Sequence, residues 1–460
     1  MSRKLWLLNA TENHADLAAA CAQARGAGVD IRVLYRRRDR DAILAAIPAE
    51  GTIEMADAGC EIPGFEIEDD AEIVFLPCTR RIDWADLRER PRLRHSHCLQ
   101  PLFATPPPHY RRCQSIGPAG WWGWRADGAL ACRILREPTA WQENGIDLIE
   151  MLAEWPDPPR WQSAPLLLAN ANDYPVSSPP VLTPASRVLA VISHYRCEPW
   201  LHECLASMAQ QTIPLAGIVV IDDCSGAPPV SIVEQFPGVT LLSNTRNAGP
   251  ERMLNNIIHA TDYDGYMVQD ADDWSTHDRL EVSLRGAEQS GADMVGTQEF
   301  RIDHSAERID LGLYPPDVNE CMMNGPQLYL LHGSCLISRA LAMRAGGLDE
   351  NLRLVADSDF LFRAWHAGRL VNVPLFTTFH RIRADSLTSH AVTGHASPAR
   401  LLEERYIKVR ATKHLAATRA GGVPDVRVKL TKPLRFEHLL GPVLTMQSDS
   451  TAGVEIAWKR

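Results

Sequence analysis

Four short apolar runs, each ending at or followed directly by polar or acidic residues, constrain this chain more than any other feature. They are RVLAVIS (187–193), GIVVID (217–222), VTLLS (239–243) and GYMVQ (265–269). Each is short and rich in branched apolar residues, as a strand buried on both faces must be. Helical patterns lie between them. Trp200, Leu201, Cys204, Leu205 and Met208 recur at helical spacing, as do Met253, Leu254, Ile257 and Ile258 behind Pro250, a residue suited to a first helical turn. Strand–helix alternation predicts a mostly parallel sheet with right-handed crossovers. Ligands of such sheets bind at the carboxyl ends of the strands. Asp222, Asp223, Asp270, Asp272 and Asp273 all fall at such ends. Five carboxylates on one rim point to a functional constellation.

At 460 residues the chain is too long for one ordinary domain. We divide it into an α/β region over 1–173, a proline- and serine-rich linker over 174–186, a catalytic-type α/β domain over 187–395 and a basic helical extension over 396–460. The first region shows strand patterns at LWLLNA (5–10), DIRVLYR (30–36) and EIVFLP (72–77), with a helix over 15–27. It has no glycine-rich phosphate loop. Trp121, Trp122 and Trp124 cluster there, either as a core corner or as a platform for a sugar.

Net charge is −10, which argues against nucleic acid as the main partner. Eleven cysteines include no C-x-x-C pair, so neither a zinc site nor a disulfide framework is suggested. The opening residues carry too short an apolar run for a signal peptide, and no stretch has the roughly 18 apolar residues of a membrane helix. A soluble cytoplasmic protein is expected. Residues 406–435 hold eight Lys or Arg and one acidic residue, so this flank can touch an anionic membrane or form a solvated helix face.

Asp270-Ala271-Asp272-Asp273 is the densest acidic element. Carboxylates this close repel, and a divalent cation such as Mg²⁺ or Mn²⁺ would relieve them, commonly with phosphate oxygens as further ligands. A solvated turn with a capping aspartate is the plainer alternative. Asp222 and Asp223 can accept from a nucleobase N–H or shape an Asx-turn. Asn247 and Arg252 flank a helix start, which favours an anion. Arg252 can pair with a phosphate or with an acidic strand end. Asp357-Ser358-Asp359 opens a further helix. A carboxylate there can take a proton from a hydroxyl, or it can cap the helix.

The order of these motifs resembles family 2 of the inverting glycosyltransferases, which have the GT-A fold. VLAVISHYRCEPWLHECLASMAQQT (188–212) keeps Tyr195, Gln211 and Thr212 of the family pattern, with Ser193 in place of proline and Arg196 in place of asparagine. IDDCS (221–225) has Cys224 in place of glycine. NAGPERMLNN (247–256), the intact DADD (270–273), GGLDE (346–350), ADSDFL (356–361) and RIRADSLT (381–388) follow in the family's order. The resemblance spans about 187–390, roughly 200 of the 460 residues.

It implies a GT-A sheet with flanking helices and a divalent metal, Mn²⁺ or Mg²⁺. It also implies transfer of a sugar from a nucleoside diphosphate sugar, UDP-linked in the first instance, to a carbohydrate or lipid-linked hydroxyl in polysaccharide or glycoconjugate synthesis. By position, Tyr195, Asp222, Asp223, Asn247, Arg252 and Asp270 would face the donor. Asp270 and Asp272 would hold the metal. His380 would approach the metal or diphosphate, or be structural. Asp357 would be the general base, with Asp359 as the nearby alternative. Ala356 stands where a glutamate is usual. Two other readings remain. A nucleotidyltransferase would need a glycine-rich basic loop after the first strand, and 193–200 has no glycine. A decayed nucleotide-sugar-binding module would tolerate Ser193, Arg196, Cys224 and Ala356.

Overall fold

A computed structural model describes residues 180–428 without a break, 433–447 and 453–458. Before residue 180 it describes the helices and strands together with residue 155 and residues 158–165. The chain forms two compact units. One comprises Met1–Pro106, Gly117–Ala164 and His304–Ile309, and the other Pro107–Ile116, Pro165–Asp303 and Asp310–Arg460.

The first unit holds a seven-stranded sheet in the order Thr52–Met55, Ile31–Arg36, Lys4–Asn9, Glu72–Leu76, Trp121–Asp127, Cys98–Phe103 and Arg160–Trp161. Its first four strands are parallel. The fifth turns antiparallel to its neighbours on both sides. Trp124 is fully buried and stacks on Phe75 at 5.2 Å, so it is a core side chain. Arg125 and Glu72 form a buried ion pair at 3.0 Å.

The second unit begins with β1 (Val188–His194), α1 (Glu198–Ala209), β2 (Gly217–Asp222), α2 (Val230–Val233) and β3 (Val239–Asn244). It continues through α3 (Pro250–Ala260), β4 (Gly265–Asp270), β5 (Trp274–Ser275), α4 (Arg279–Ser290), β6 (Met294–Asp303) and β7 (Arg308–Leu313). After α5 (Val318–Asn324) come β8 (Leu336–Ser338), α6 (Arg339–Arg344), α7 (Ala356–Ala367), β9 (Leu370–Arg381), α8 (Pro398–Arg419), β10 (Arg435–Leu440) and β11 (Glu455–Ala457). The sheet runs β5-β9-β6-β8-β4-β1-β2-β3-β10-β11, with β7 paired to β6. The four apolar runs form the parallel centre β4-β1-β2-β3. β8 reverses direction beside β4, and β10 does so beside β3.

Leu189, Val191, Val219 and Ile221 point to one side of this centre, under α3 and α7. Val188, Ala190, Ile192, Val220 and Met267 point to the other, under α1 and α4. Burial on both faces explains why these strands read as continuous apolar runs.

Two boundaries differ from the sequence reading. Leu182, inside the expected linker, is fully buried, and the linker's remaining described residues belong to the second unit. The expected extension is also part of that unit. Ile407, Ala411 and Leu415 of α8 enter its core, and β10 extends its sheet.

Candidate active site

Parallel register brings the acidic strand ends together. His194 of β1 lies opposite Asp222 of β2, and Ser193 opposite Asp270 of β4. Asp222 is buried. Its Oδ1 sits 3.1 Å from His194 Nδ1, while its Oδ2 accepts from Ser225 N at 3.2 Å. Burial pushes this carboxyl up, but the His194 and Ser225 bonds outweigh it and hold it below the ordinary range. Cys197 N donates to His194 Nε2, so Nδ1 carries the proton that Asp222 accepts.

Asp223 anchors the loop before α3. Its Oδ1 accepts from Asn244 Nδ2 at 3.1 Å and from Ala248 N at 2.8 Å, and its Oδ2 from Gly249 N at 2.8 Å. Asn247 Nδ2 donates back to the Asp223 carbonyl. The carboxylates of Asp222 and Asp223 are therefore engaged inside the protein, while Tyr195 is exposed at the same rim under the Arg196 guanidinium.

The DADD turn is held from behind. Gln269 Nε2 donates to the carbonyls of Asp270 and Asp273. Its Oε1 accepts from Arg279 Nη1 at 2.6 Å. Arg279 is fully buried and also donates to the carbonyls of Val268 and Gly333. Burial lowers its pKa to about 10. Gln211 ties α1 to this region through the carbonyl of Thr276 and the amide of Leu280.

Each acid of the turn has its own surroundings. Asp273 is buried and accepts from Arg381 N at 2.8 Å, and burial drives its pKa well up. Asp272 receives Arg383 on one oxygen, Oδ2, from Nε at 2.8 Å and from Nη2 at 2.6 Å. The same guanidinium lies 4.2 Å above the Trp200 ring. Asp270 lies against Gly333, where an added Cβ would come within 2.6 Å of its Oδ2. Burial, then Asp272, with Asp357 adding to it, raises its carboxyl to about 6.

Asp357 thus acts on Asp270 from α7. It also acts on Glu251, in the first turn of α3, whose carboxyl burial and Asp357 raise to about 8. Helix α7 is capped at Val355 without a side-chain bond, so neither Asp357 nor Ser358 is its cap. Asp357 lies in the first turn, accepting from Ser358 Oγ at 3.2 Å. The negative charge of Asp357 thus bears on both Asp270 and Glu251.

His380 joins from β9. Its Nδ1 is 2.9 Å from Glu299 Oε2 on β6. Glu299 Oε1 accepts from Arg301 Nε at 2.7 Å and from Tyr314 Oη at 2.6 Å. Against burial, the His380 and Arg301 contacts hold Glu299 down at about 2. Burial opposes the charged form of His380 as well, but Asp273 and Glu299 push it up to about 10. Among the described residues no three His, Cys, Asp or Glu side chains gather into a set that would hold an ion by themselves.

Residues 189–329 match the family model described as glycosyl transferase family 2. This segment is a family 2 glycosyltransferase domain. No curated protein matches the chain. Among solved structures it is similar to residues 1-349 of TarS from S. aureus, alone (19% identity, 42% of this chain and 60% of that one, TM-score 0.37) and in complex with UDP-GlcNAc (19%, 44% and 60%, 0.38). The complex of the same TarS segment with UDP gives 17% identity over 51% and 73%, with TM-score 0.38. The chain spans 37% of the longer TarS structure.

Several motif residues of the transferase domain build the site without entering it. Asn255 and Asn256 both donate to Glu350 Oε1, at 3.4 and 3.0 Å, which ties α3 to the GGLDE turn. A Cβ on Gly347 would meet Asn255 Oδ1 at 2.1 Å, so glycine is required there. Asp359 is buried with Arg363 and Arg410 and does not share the cleft with Asp357. Ala356 is also buried, and a glutamate in its place would have to displace core. Burial lowers the pKa of Arg252, with Glu350 acting against that.

Sequence reading missed Glu251, Glu299 and Arg279 as parts of this region, and gave Arg383 no role. Arg383 stood in the RIRADSLT element, and its place in that element was the available signal. Glu299 had none, because it comes from β6, which carries no family motif.

Proposed function

We propose that the domain transfers a sugar from a nucleoside diphosphate sugar, UDP-linked in the first instance, to a hydroxyl of a carbohydrate or lipid-linked acceptor, with inversion at the anomeric carbon. Such a reaction serves polysaccharide or glycoconjugate synthesis. What supports the reading is the place of Asp270 and Asp272 at the carboxyl end of a parallel strand, with the charge of Asp357 bearing on Asp270, in a chain whose residues 189–329 match this family.

In this scheme Tyr195 stacks on the donor's base at the open rim. Asp222, held by His194, and Asp223, held by loop 247–249, shape the pocket that receives it. Asn247 and Arg252, at the start of α3, face the phosphates. Asp357 takes the proton of the attacking hydroxyl as the acceptor oxygen bonds to the anomeric carbon and the nucleoside diphosphate leaves. Asp359 cannot share that role while Arg363 and Arg410 hold it.

The donor set fits a divalent cation that takes one or two protein ligands and completes its shell with diphosphate oxygens. Asp270 feels the negative charge of Asp272 and Asp357, offset in part by His380 and Arg279. Arg383 occupies only Oδ2 of Asp272 and leaves Oδ1 for another ligand. His380, whose Nδ1 lies 2.9 Å from Glu299 Oε2, would have to give up a proton to ligate through Nε2. Bound there, Mg²⁺ or Mn²⁺ would neutralise charge growing on the departing diphosphate. One observation favours a second reading, a non-catalytic nucleotide-sugar-binding module: Arg383 already gives Asp272 a positive partner on Oδ2.

The test is hydrolysis of a panel of nucleoside diphosphate sugars with Mn²⁺, Mg²⁺ or EDTA, in wild type, Asp272→Ala and Asp357→Asn. Metal-dependent release of nucleotide from one donor, lost in Asp272→Ala, is the expected result. Binding of a donor without any turnover, unaffected by EDTA, would establish the module instead.

A further inference from the structure

Helix α8 presents two different faces. Ile407, Ala411 and Leu415, four apart, enter the core, and Arg410 reaches Asp349 at 3.0 Å. On the opposite side Leu402 and Val409, seven apart and so in line along the helix, are 71% and 51% exposed. Leu401 and Tyr406, beside them, are also more than half exposed. Arg405 and Lys413 flank this strip and are themselves exposed. The loop before the helix also exposes apolar side chains. Leu387 and Val392 are 51% and 68% exposed there, and Arg400 of α8 fastens that loop by donating to the carbonyls of Thr393 and Leu387.

The acidic residues of α8 beside this strip are engaged by partners. Glu403 accepts from the amides of Arg353 and Leu354, and Glu404 lies 3.8 Å from Lys408. The face is therefore apolar in the middle and cationic at both sides, on a chain whose net charge is −10. Pairing with a second copy would set Arg405 and Lys413 against the same cations of its partner. An anionic surface matches both properties: apolar side chains enter the boundary between headgroups and acyl chains, and Lys and Arg meet the headgroups.

We propose that the outward face of α8, with loop 387–392, docks the protein on an anionic lipid bilayer. The loop starts four residues after Arg383, which holds Asp272, so docking would set one side of the acidic rim toward the lipid surface. The contact does not depend on sugar transfer.

The test is co-sedimentation of the full chain with vesicles of phosphatidylcholine alone and of phosphatidylcholine mixed with phosphatidylglycerol. Expected is binding to the mixed vesicles only, weakened by salt. Arg405→Ala and Lys413→Ala should each weaken it about fivefold, and Leu402→Ser with Val409→Ser should abolish it. The circular dichroism spectrum should not change, because these side chains are exposed. Equal binding to both vesicle types, no binding to either, or unchanged binding in the cation variants would overturn the proposal. So would a dimer in sedimentation equilibrium that Leu402→Ser dissociates while vesicles are not bound, since the second copy would then be the occupant.

Discussion

The carboxylate of Asp359 accepts a hydrogen bond from Arg363 Nε, one helical turn on, at 2.7 Å, with both side chains buried. Arg410 of α8 closes the second oxygen and also binds Asp349. Arg363 spends its other donors on the carbonyls of Ala345, Gly347 and Val426. This network joins α7, α8 and the GGLDE turn. Removing one partner of a buried pair leaves the other charge uncompensated, typically at about 3–5 kcal/mol. Asp359→Ala is therefore expected to lose stability on that scale in urea unfolding. Asp357→Asn, at the half-buried first turn, is expected to unfold within about 0.5 kcal/mol of wild type while donor turnover falls. Equal destabilisation by the two variants would show that Asp357 belongs to the same network.

Two substitutions in the family pattern fall on left-handed backbone. Arg196, where the pattern has asparagine, has φ 55°, and Cys224, where it has glycine, has φ 57°. Asparagine and glycine are the residues that tolerate this region, and other residues cost about 1–2 kcal/mol there. Cys224 is exposed, so little packing is lost on shortening it. Cys224→Gly should raise stability by about 1 kcal/mol, after the greater freedom of glycine in the unfolded chain is deducted. Chemical unfolding measures it. A destabilised variant would mean that the thiol makes a compensating contact.

The central sheet was legible because its strands are buried on both faces and end in acids. That pattern gave β1 to β4 nearly to the residue, and with them the acidic strand ends at Asp222 and Asp270. β6 and β9 were not legible. They run 10 and 12 residues and mix apolar with polar side chains such as Gln298, Glu299, Asn372 and Thr377, all buried. A buried polar residue is made tolerable by a partner distant in sequence, as Gln298 is by Tyr314 and Val373, and no local pattern announces such a partner. The same reason hid Glu299. Asp359 differs from Asp357 through its partners: Arg363, four residues on, lay within reach of local pattern, but Arg410, 51 residues on, did not.

Arg279 shows what holds the DADD turn in shape. It is fully buried, and its contacts run to Gln269 Oε1, Ser275 Oγ and the carbonyls of Val268 and Gly333. Four acceptors placed for a planar fork do not suit an ammonium. Arg279→Lys is expected to cost about 2–4 kcal/mol, from unsatisfied buried acceptors. It should also weaken donor binding, because the Asp270 and Gly333 backbone would shift. Urea unfolding with donor titration by calorimetry checks both. Unchanged donor affinity in a folded Arg279→Lys protein would separate this core from the site.

His366 should make the protein sensitive to mild acid. It lies on α7, its Nδ1 is 2.9 Å from Thr418 Oγ1, and His414 of α8 faces it edge-on at 5.8 Å. Burial, then the charge of His414, lowers its pKa to about 4 from an ordinary 6.5. The unfolded chain therefore binds a proton between pH 6.5 and 4 that the folded protein does not, and stability falls as pH falls through that window. His366 is only half-buried, so solvent screening reduces the effect to on the order of 1–2 kcal/mol. His366→Gln removes this titration while it can still hydrogen-bond Thr418. Urea unfolding at pH 7 and pH 5 should show wild type losing more stability on acidification than His366→Gln. Parallel losses in the two proteins would mean that His366 titrates alike folded and unfolded.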